Sequence, residues 1–325
     1  DKLLQIGANP DSKDKNGVTA LMFAVDNHKI LEKLLKAGAD INESLTLAIK
    51  NGNNALAKKF KTNGGDVDKI FLKALQQRNN ELVELSIKEN AHLDKITEKG
   101  ITPLIIALEN NSDQIAKILI DNGANLNKSL LIAVEKDKKG IIGKLKKLGA
   151  SLDELLFEVI KKGKTEVIAK LLEYEANIDF KDKQGWTPLM YAVYYGRAKI
   201  VEELIKNNAD IDEYNKGGAT ALIIAVSNEN ENMAELLLNS NANIGTIDKK
   251  ENHALLLALE RGNKSIIEKL KEKGANLKKA LFQGITKNSE KIVTESIEAG
   301  AKINECNANG VFSLNLAIRT GNENM

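Results

Sequence analysis

Apolar residues recur at i, i+3 and i+4 in Ile115-Ala116-Lys117-Ile118-Leu119-Ile120 and again in Ile200-Val201-Glu202-Glu203-Leu204-Ile205. That spacing places one buried stripe on each helix. The fullest setting for such a stripe runs from Asp182 to Asp210. Polar Asp182-Lys183-Gln184-Gly185 predicts a tight turn closed by glycine. Thr187-Pro188 predicts the entry to a short helix through Leu189, Ala192 and Val193. A second apolar helix is expected from Ala198 to Ile205, ending in the small-residue exit Asn208-Ala209-Asp210.

The exit motif Gly-Ala-Asn/Asp recurs and gives a ruler. Its middle residue falls at Ala8, Ala39, Gly65, Ala91, Ala124, Ala150, Ala176, Ala209, Ala242, Ala275 and Ala301, with successive spacings of 31, 26, 26, 33, 26, 26, 33, 33, 33 and 26. A small residue in the first helix keeps the same beat, at Ala24, Ala48, Ala74, Ala107, Ala133, Val159, Ala192, Ala225, Ala258, Gly284 and Ala317. Six units carry a turn segment: Asp14–Gly17, Thr97–Gly100, Asp182–Gly185, Asn215–Gly218, Asp248–Glu251 and Asn307–Gly310. Asp or Asn followed three residues later by Gly is turn chemistry, because the side chain caps locally and Gly accepts a positive φ. The other units pass straight from exit to helix, as at Ile41-Asn42-Glu43-Ser44-Leu45, and lack the seven residues of a projecting turn. Missing turns are expected to leave notches along that edge. The exit glycines suit a left-handed helix end, Asn90, Asn208 and Asn241 replace them acceptably, and Glu175 breaks the rule.

This grammar, with its 33-residue full period, resembles the ankyrin repeat along essentially all 325 residues. The resemblance implies an all-α ankyrin-repeat solenoid of stacked antiparallel helix pairs, with β-hairpin or turn fingers on six of eleven repeats. It implies a single domain over 1–325, expected to be cut within repeats at both ends. Thr-Pro is intact only at Thr102-Pro103 and Thr187-Pro188, and His253 and Phe312 stand in the Thr slot of two other units. The family's histidine is absent: Met22, Ile105, Met190, Ile223, Leu256 and Asn315 stand there. Its bond to Thr is therefore expected to give way to apolar contact, leaving the turns less rigid.

Composition narrows the function classes. With 47 basic and 45 acidic residues the net charge is +2, which argues against a nucleic-acid or membrane field. No stretch approaches the ~20 apolar residues of a membrane span. The single cysteine, Cys306, excludes an internal disulfide framework and suits a reducing, intracellular (cytoplasmic) setting. His28, His92 and His253 lie in distant units, too scattered for a triad or a metal site, and His253 in the Thr slot reads as a structural hydrogen bond. Gly140-Ile141-Ile142-Gly143-Lys144 lacks the spacing and the Ser/Thr of a phosphate loop. No catalysis, cofactor or metal is expected.

A non-catalytic scaffold that binds a partner protein is the reading these features favour. In proteins of this resemblance partners contact finger tips and the concave face of the first helices. Mapped onto this chain, those positions are Lys183, Gln184, Trp186, Tyr194 and Tyr195, with Tyr174 near the preceding exit and Tyr214 before the next turn. The one Trp and all five Tyr fall between Tyr174 and Tyr214, and these are the residues most enriched at binding hot spots. Tyr191, beside Ala192, is expected in the core, and packing of Trp186 over the neighbouring turn is the alternative to exposure. A second candidate, the nine lysines between Lys136 and Lys164 against four acids, reads more simply as a solvated face. Two other classes fit the same repeats: the substrate-presenting region of a larger enzyme or secreted effector, and a structural element assembling end to end. The partner's identity and the oligomeric state lie beyond the sequence.

Overall fold

The computed structural model describes residues 2–321. Its backbone groups into two units, residues 1–150 and 151–325, and the same local rules build each of them.

In the first unit, helices pair as Ala20–Ala24 with His28–Lys36, Ile41–Lys50 with Asn54–Thr62, Val67–Gln76 with Asn80–Lys88, Pro103–Glu109 with Asp113–Asp121, and Leu126–Glu135 with Lys139–Lys147. In the second they pair as Leu152–Lys162 with Thr165–Glu173, Pro188–Tyr194 with Ala198–Lys206, Ala221–Ser227 with Glu231–Asn239, Ala254–Arg261 with Lys264–Glu272, and Leu277–Thr286 with Glu290–Glu298, followed by Ser313–Arg319. The ruler positions inside the first helices are buried throughout, from Ala48, Ala74 and Ala107 to Ala192, Ala225 and Ala258. Room at this position is set by the partner helix: Val159 fits fully buried, whereas a Cβ on Gly284 would come within 2.7 Å of Ile292 Cγ2.

The two unit lengths solve the same capping problem differently. In the full units at Pro103–Glu109, Pro188–Tyr194 and Ala221–Ser227 the first helix has seven residues and Thr is its N-cap. In a short unit the polar exit residue, Asp, Asn or once Ser151, is itself the N-cap, and the helix gains about a turn. Asp40 accepts from Asn42 and Glu43 N–H, and Asp66 from Asp68 and Lys69 N–H. The first full unit, short near Asp26-Asn27-His28, has only the five-residue helix Ala20–Ala24.

The six turns close as expected, each with the fourth residue's N–H donating to the first residue's carbonyl, for example Gly185 to Asp182 at 2.9 Å and Glu251 to Asp248 at 3.0 Å. They are not extended hairpins. Among the described residues their pairing is limited to isolated bridges, Lys13 with Thr19, Tyr214 with Thr220 and Cys306 with Phe312. The exit position is left-handed at Asn90, Asn208 and Asn241, and also at Glu175 (φ 69°), for which the surroundings offer no reason.

The expected loosening around the Thr slot is corrected in part. Thr102, Thr187 and Thr220 are buried, and their hydroxyls accept from the N–H three residues on. Where a short unit follows, the Thr hydroxyl also meets a buried serine of that unit, Thr19 with Ser44 and Thr102 with Ser129, both at 2.8 Å. A polar bond, not apolar contact, replaces the family histidine there.

His253 fills the Thr slot by the same geometry, as the sequence suggested. Its Nδ1 accepts from Leu256 N–H at 3.3 Å, which leaves the proton on Nε2 facing Gln283 Oε1 at 2.7 Å. Burial holds the imidazole below its ordinary range; the Gln283 bond opposes this, while nearby Lys279 and Lys287 push the same way as burial. A histidine depressed on folding leaves stability complete above its unfolded value of 6.5 and erodes it as pH falls towards the folded value. Protonation would also convert the Nδ1 acceptor into a donor facing another donor. His253→Thr is therefore expected to flatten the loss of stability between neutral pH and about pH 5 in urea unfolding. An unchanged slope would show that other groups carry it.

A second polar device runs along the exits. In seven places the Asp or Asn two residues past an exit cap accepts the backbone N–H of the next cap. In the first unit Asp11 accepts from Asp40, Asn42 from Asp66, Asp68 from His92 and Asp94 from Asn125, at 2.7–2.9 Å. In the second Asp153 accepts from Asn177, Asp179 from Asp210 and Asp212 from Asn243, at 2.6–2.9 Å. The series stops at Gly245, which has no side chain to continue it.

Candidate functional site

The turn Asp182–Gly185 and the helix Pro188–Tyr194 hold the aromatic residues in place. Asp182 Oδ1 accepts from Gln184 and Trp186 N–H, both at 2.8 Å, and its Oδ2 accepts from the Tyr191 hydroxyl at 2.7 Å. Burial alone would raise this carboxyl. The Tyr191 hydroxyl and the three backbone N–H groups of Trp186, Gln184 and Gly185 overcome it and hold the carboxyl below its usual range. The phenol answers in the opposite sense: burial, then the bond to Asp182 and its charge, push Tyr191 up to about 12. One carboxylate thus ties the turn, the indole and the first helix together.

Around this tie the rings interlock. Trp186 lies 5.2 Å from Tyr191 and 5.5 Å from Tyr194, the latter at 89°, while Tyr194 meets Tyr195 at 5.3 Å and 83°. Tyr195 is nearly parallel to Tyr191 at 6.1 Å. The preceding short unit adds Phe157, edge-on to Tyr191 at 5.1 Å, and Phe180 beyond it at 5.8 Å. Edge-to-face geometry is the favoured arrangement of such quadrupoles. Lys161 Nζ stands 5.3 Å from the Tyr191 centroid, a cation over the π face. Tyr194 is 52 % exposed and Tyr195 38 %, while Trp186 is half-buried.

The remaining sequence candidates are more spread out. Lys183 and Gln184 are exposed on the turn, and the Gln184 carbonyl accepts from Lys216 N–H of the next turn. Tyr214, 60 % exposed, stands at the next turn under Lys181, which also pairs with Glu213. Tyr174 ends the second helix Thr165–Glu173 and is half-buried. Trp186, Tyr194 and Tyr195 are therefore brought together, and Tyr214 belongs to a separate group. Tyr191 is a correction: it is not core but half-buried at the middle of the surface cluster. Its place beside a buried alanine suggested burial, yet the residue before that alanine points one helical step away from the core stripe. Phe157 is not singled out in the sequence, and Lys161 reads there only within the lysine-rich span, because both reach the cluster from the neighbouring unit.

The family model described as ankyrin repeats (3 copies) matches residues 45–129, 130–215 and 199–280, and that of the single ankyrin repeat matches residues 16–44. The chain belongs to the ankyrin-repeat family. No curated protein matches it significantly. Ankyrin repeats are protein–protein interaction modules and are typically non-catalytic.

Within this ankyrin-repeat chain, the lysine-rich stretch is partly engaged. Lys138 pairs with Glu109 at 2.7 Å, Lys144 bonds the Leu108 carbonyl and Asn111, and Lys162 pairs with Glu158 at 2.5 Å. Among the described residues no group of three or more His, Cys, Asp or Glu could hold a metal ion, and no helix is long and apolar enough to cross a membrane.

Proposed function

We propose that the chain, as one array of repeats, is a non-catalytic scaffold that captures a partner protein on its aromatic face. Trp186, Tyr194 and Tyr195 are the anchors, Lys183 and Gln184 the polar rim, and Tyr174 and Tyr214 the flanks. The observation that carries this reading is that Tyr194 and Tyr195 remain 52 % and 38 % exposed although their rings are already locked edge to face with each other and Trp186. A ring held in place before binding loses little rotamer entropy on docking, so more of its desolvation appears as affinity. Tyr191 supports the face from beneath through Asp182.

The test is capture from lysate of the source organism on the immobilised chain, beside a Trp186→Ala/Tyr194→Ala/Tyr195→Ala variant matched in helical circular dichroism. A protein retained by the parent and lost by the variant is the expected outcome. Equal retention by both would move the interface off this face.

A further inference from the structure

Consecutive turns in the second unit are joined backbone to backbone. The carbonyl of the third residue of one turn accepts the N–H of the second residue of the next: Gln184 from Lys216 at 3.0 Å and Gly217 from Lys249 at 2.9 Å. This approach fixes the residue that closes each turn. A Cβ on Gly185 would lie 3.0 Å from Lys216 N, and one on Gly218 would lie 3.1 Å from Asp248 Cα. The turn Asp248–Glu251 is different, for the unit after it has no turn and the next is Asn307–Gly310. Glu251 closes it at φ 63°, a position that no neighbouring turn crowds.

Both sides of this gap keep the groups that a missing turn would satisfy. Among the described residues the Lys250 carbonyl, which corresponds to those of Gln184 and Gly217, is approached only by Lys287 Nζ at 3.4 Å, which also reaches Asn252 Oδ1 at 3.1 Å. Across the gap the Ala308 N–H, which corresponds to those of Lys216 and Lys249, has no acceptor among the described residues. Between them is a cavity of about 680 Å³ lined by Glu251, Lys279, Phe282, Cys306, Ala308 and Leu316, among others. The other two interruptions of the series each omit two turns, so this gap alone is one turn wide.

We propose that this notch binds an acidic turn segment of a partner protein, which takes the place of the missing finger. Its backbone accepts from Ala308 N–H and donates to the Lys250 carbonyl. An apolar side chain rests on Phe282 and Leu316, and its carboxylates lie beside Lys279 and Lys287. Main-chain bonds of this kind supply affinity, while the pocket between them sets specificity. The charge follows from the lining, in which Lys278, Lys279 and Lys287 stand against Glu251 alone; outside it, Glu305 is shared between Lys278 and Lys302, each at 3.3 Å. Lys279 has no ion-pair partner among the described residues, and a donor arriving at Lys250 releases Lys287 to pair with the ligand. This site is independent of the aromatic face.

Cys306, the single cysteine, lines the cavity and reports on its occupancy. The probe is a cyclic peptide presenting Asp-Leu-Asp-Gly in its turn, with Asn-Leu-Asn-Gly as control, and the readout is the rate of alkylation by N-ethylmaleimide. The acidic peptide is expected to slow alkylation about fivefold or more at saturation, and the neutral one less than about twofold. Lys279→Glu/Lys287→Glu, both on exposed chains, should raise the concentration needed at least about tenfold. Ala308→Pro removes only the wall donor, at a turn position where proline is favoured, and should raise it by about the same factor. Circular dichroism verifies that both variants fold. Equal protection by the two peptides, none from the acidic one, or indifference to Ala308→Pro would overturn the proposal. So would protection that rises with protein concentration alone, which assigns the notch to a second copy of the chain.

Discussion

Trp186→Ala weakens binding of the captured partner by about 2 kcal/mol or more in titration calorimetry, the loss expected when a central aromatic anchor is truncated. The indole touches both Tyr191 and Tyr194, so truncation removes contact area and also frees the ring that presents Tyr194. Circular dichroism and unfolding of the unbound variant separate the two effects: an anchor changes affinity far more than stability. Tyr214→Ala, at a separate turn under Lys181, is the matched control and should cost much less. A loss below about 0.5 kcal/mol for Trp186→Ala, the range of an ordinary surface substitution, would place the hot spot elsewhere.

Asp182→Ala unfastens the site from below. The substitution leaves the Trp186 N–H, the Gln184 N–H and the Tyr191 hydroxyl without their shared acceptor, two of them on half-buried residues. A loss of about 2–3 kcal/mol in urea unfolding is expected, because bonds to a charged acceptor are worth more than neutral ones and abandoned donors cost desolvation. Asp182→Asn should cost less, since Asn215 already performs this role in the next turn, accepting from Gly217 and Ala219 N–H. The pH dependence runs with the depressed carboxyl: its stabilisation is complete above the ordinary value of 3.8 and is lost as pH falls through the lower folded value. In Asp182→Asn that acid-side loss disappears, and the Tyr191 phenolate, otherwise formed only near pH 12, emerges at lower pH in ultraviolet titration. An unmoved Tyr191 titration would mean that burial alone sets it.

Much of the architecture was legible because it depends on short-range rules. A Thr before an apolar run, an Asp or Asn at a helix entry and a small residue at a constant interval each act within one unit or against its neighbour. The helix pairs, the six turns and the role of His253 followed from them. The site was legible in part. Trp186, Tyr194 and Tyr195 announced themselves by type and crowding, whereas Tyr191 was misplaced, Phe157 passed unseen and Lys161 stood out only as part of a lysine-rich face. Phe157 and Lys161 join the cluster through contacts between one unit and the next, and spacing within a unit carries no record of such contacts.

By itself, then, the sequence determined the repeat, its two lengths, the residues that cap its helices and the region where large aromatic rings gather. Only the tertiary structure decided what the repeats do to one another. It set Phe157 and Lys161 against Tyr191, ran the side-chain bonds from exit to exit, and left the Lys250 carbonyl and the Ala308 N–H on opposite sides of one missing turn. The reason is physical: helix and turn formation are governed by neighbours within a few residues, while the exit-to-exit bonds join groups 24 to 31 positions apart in the chain, which only stacking brings together.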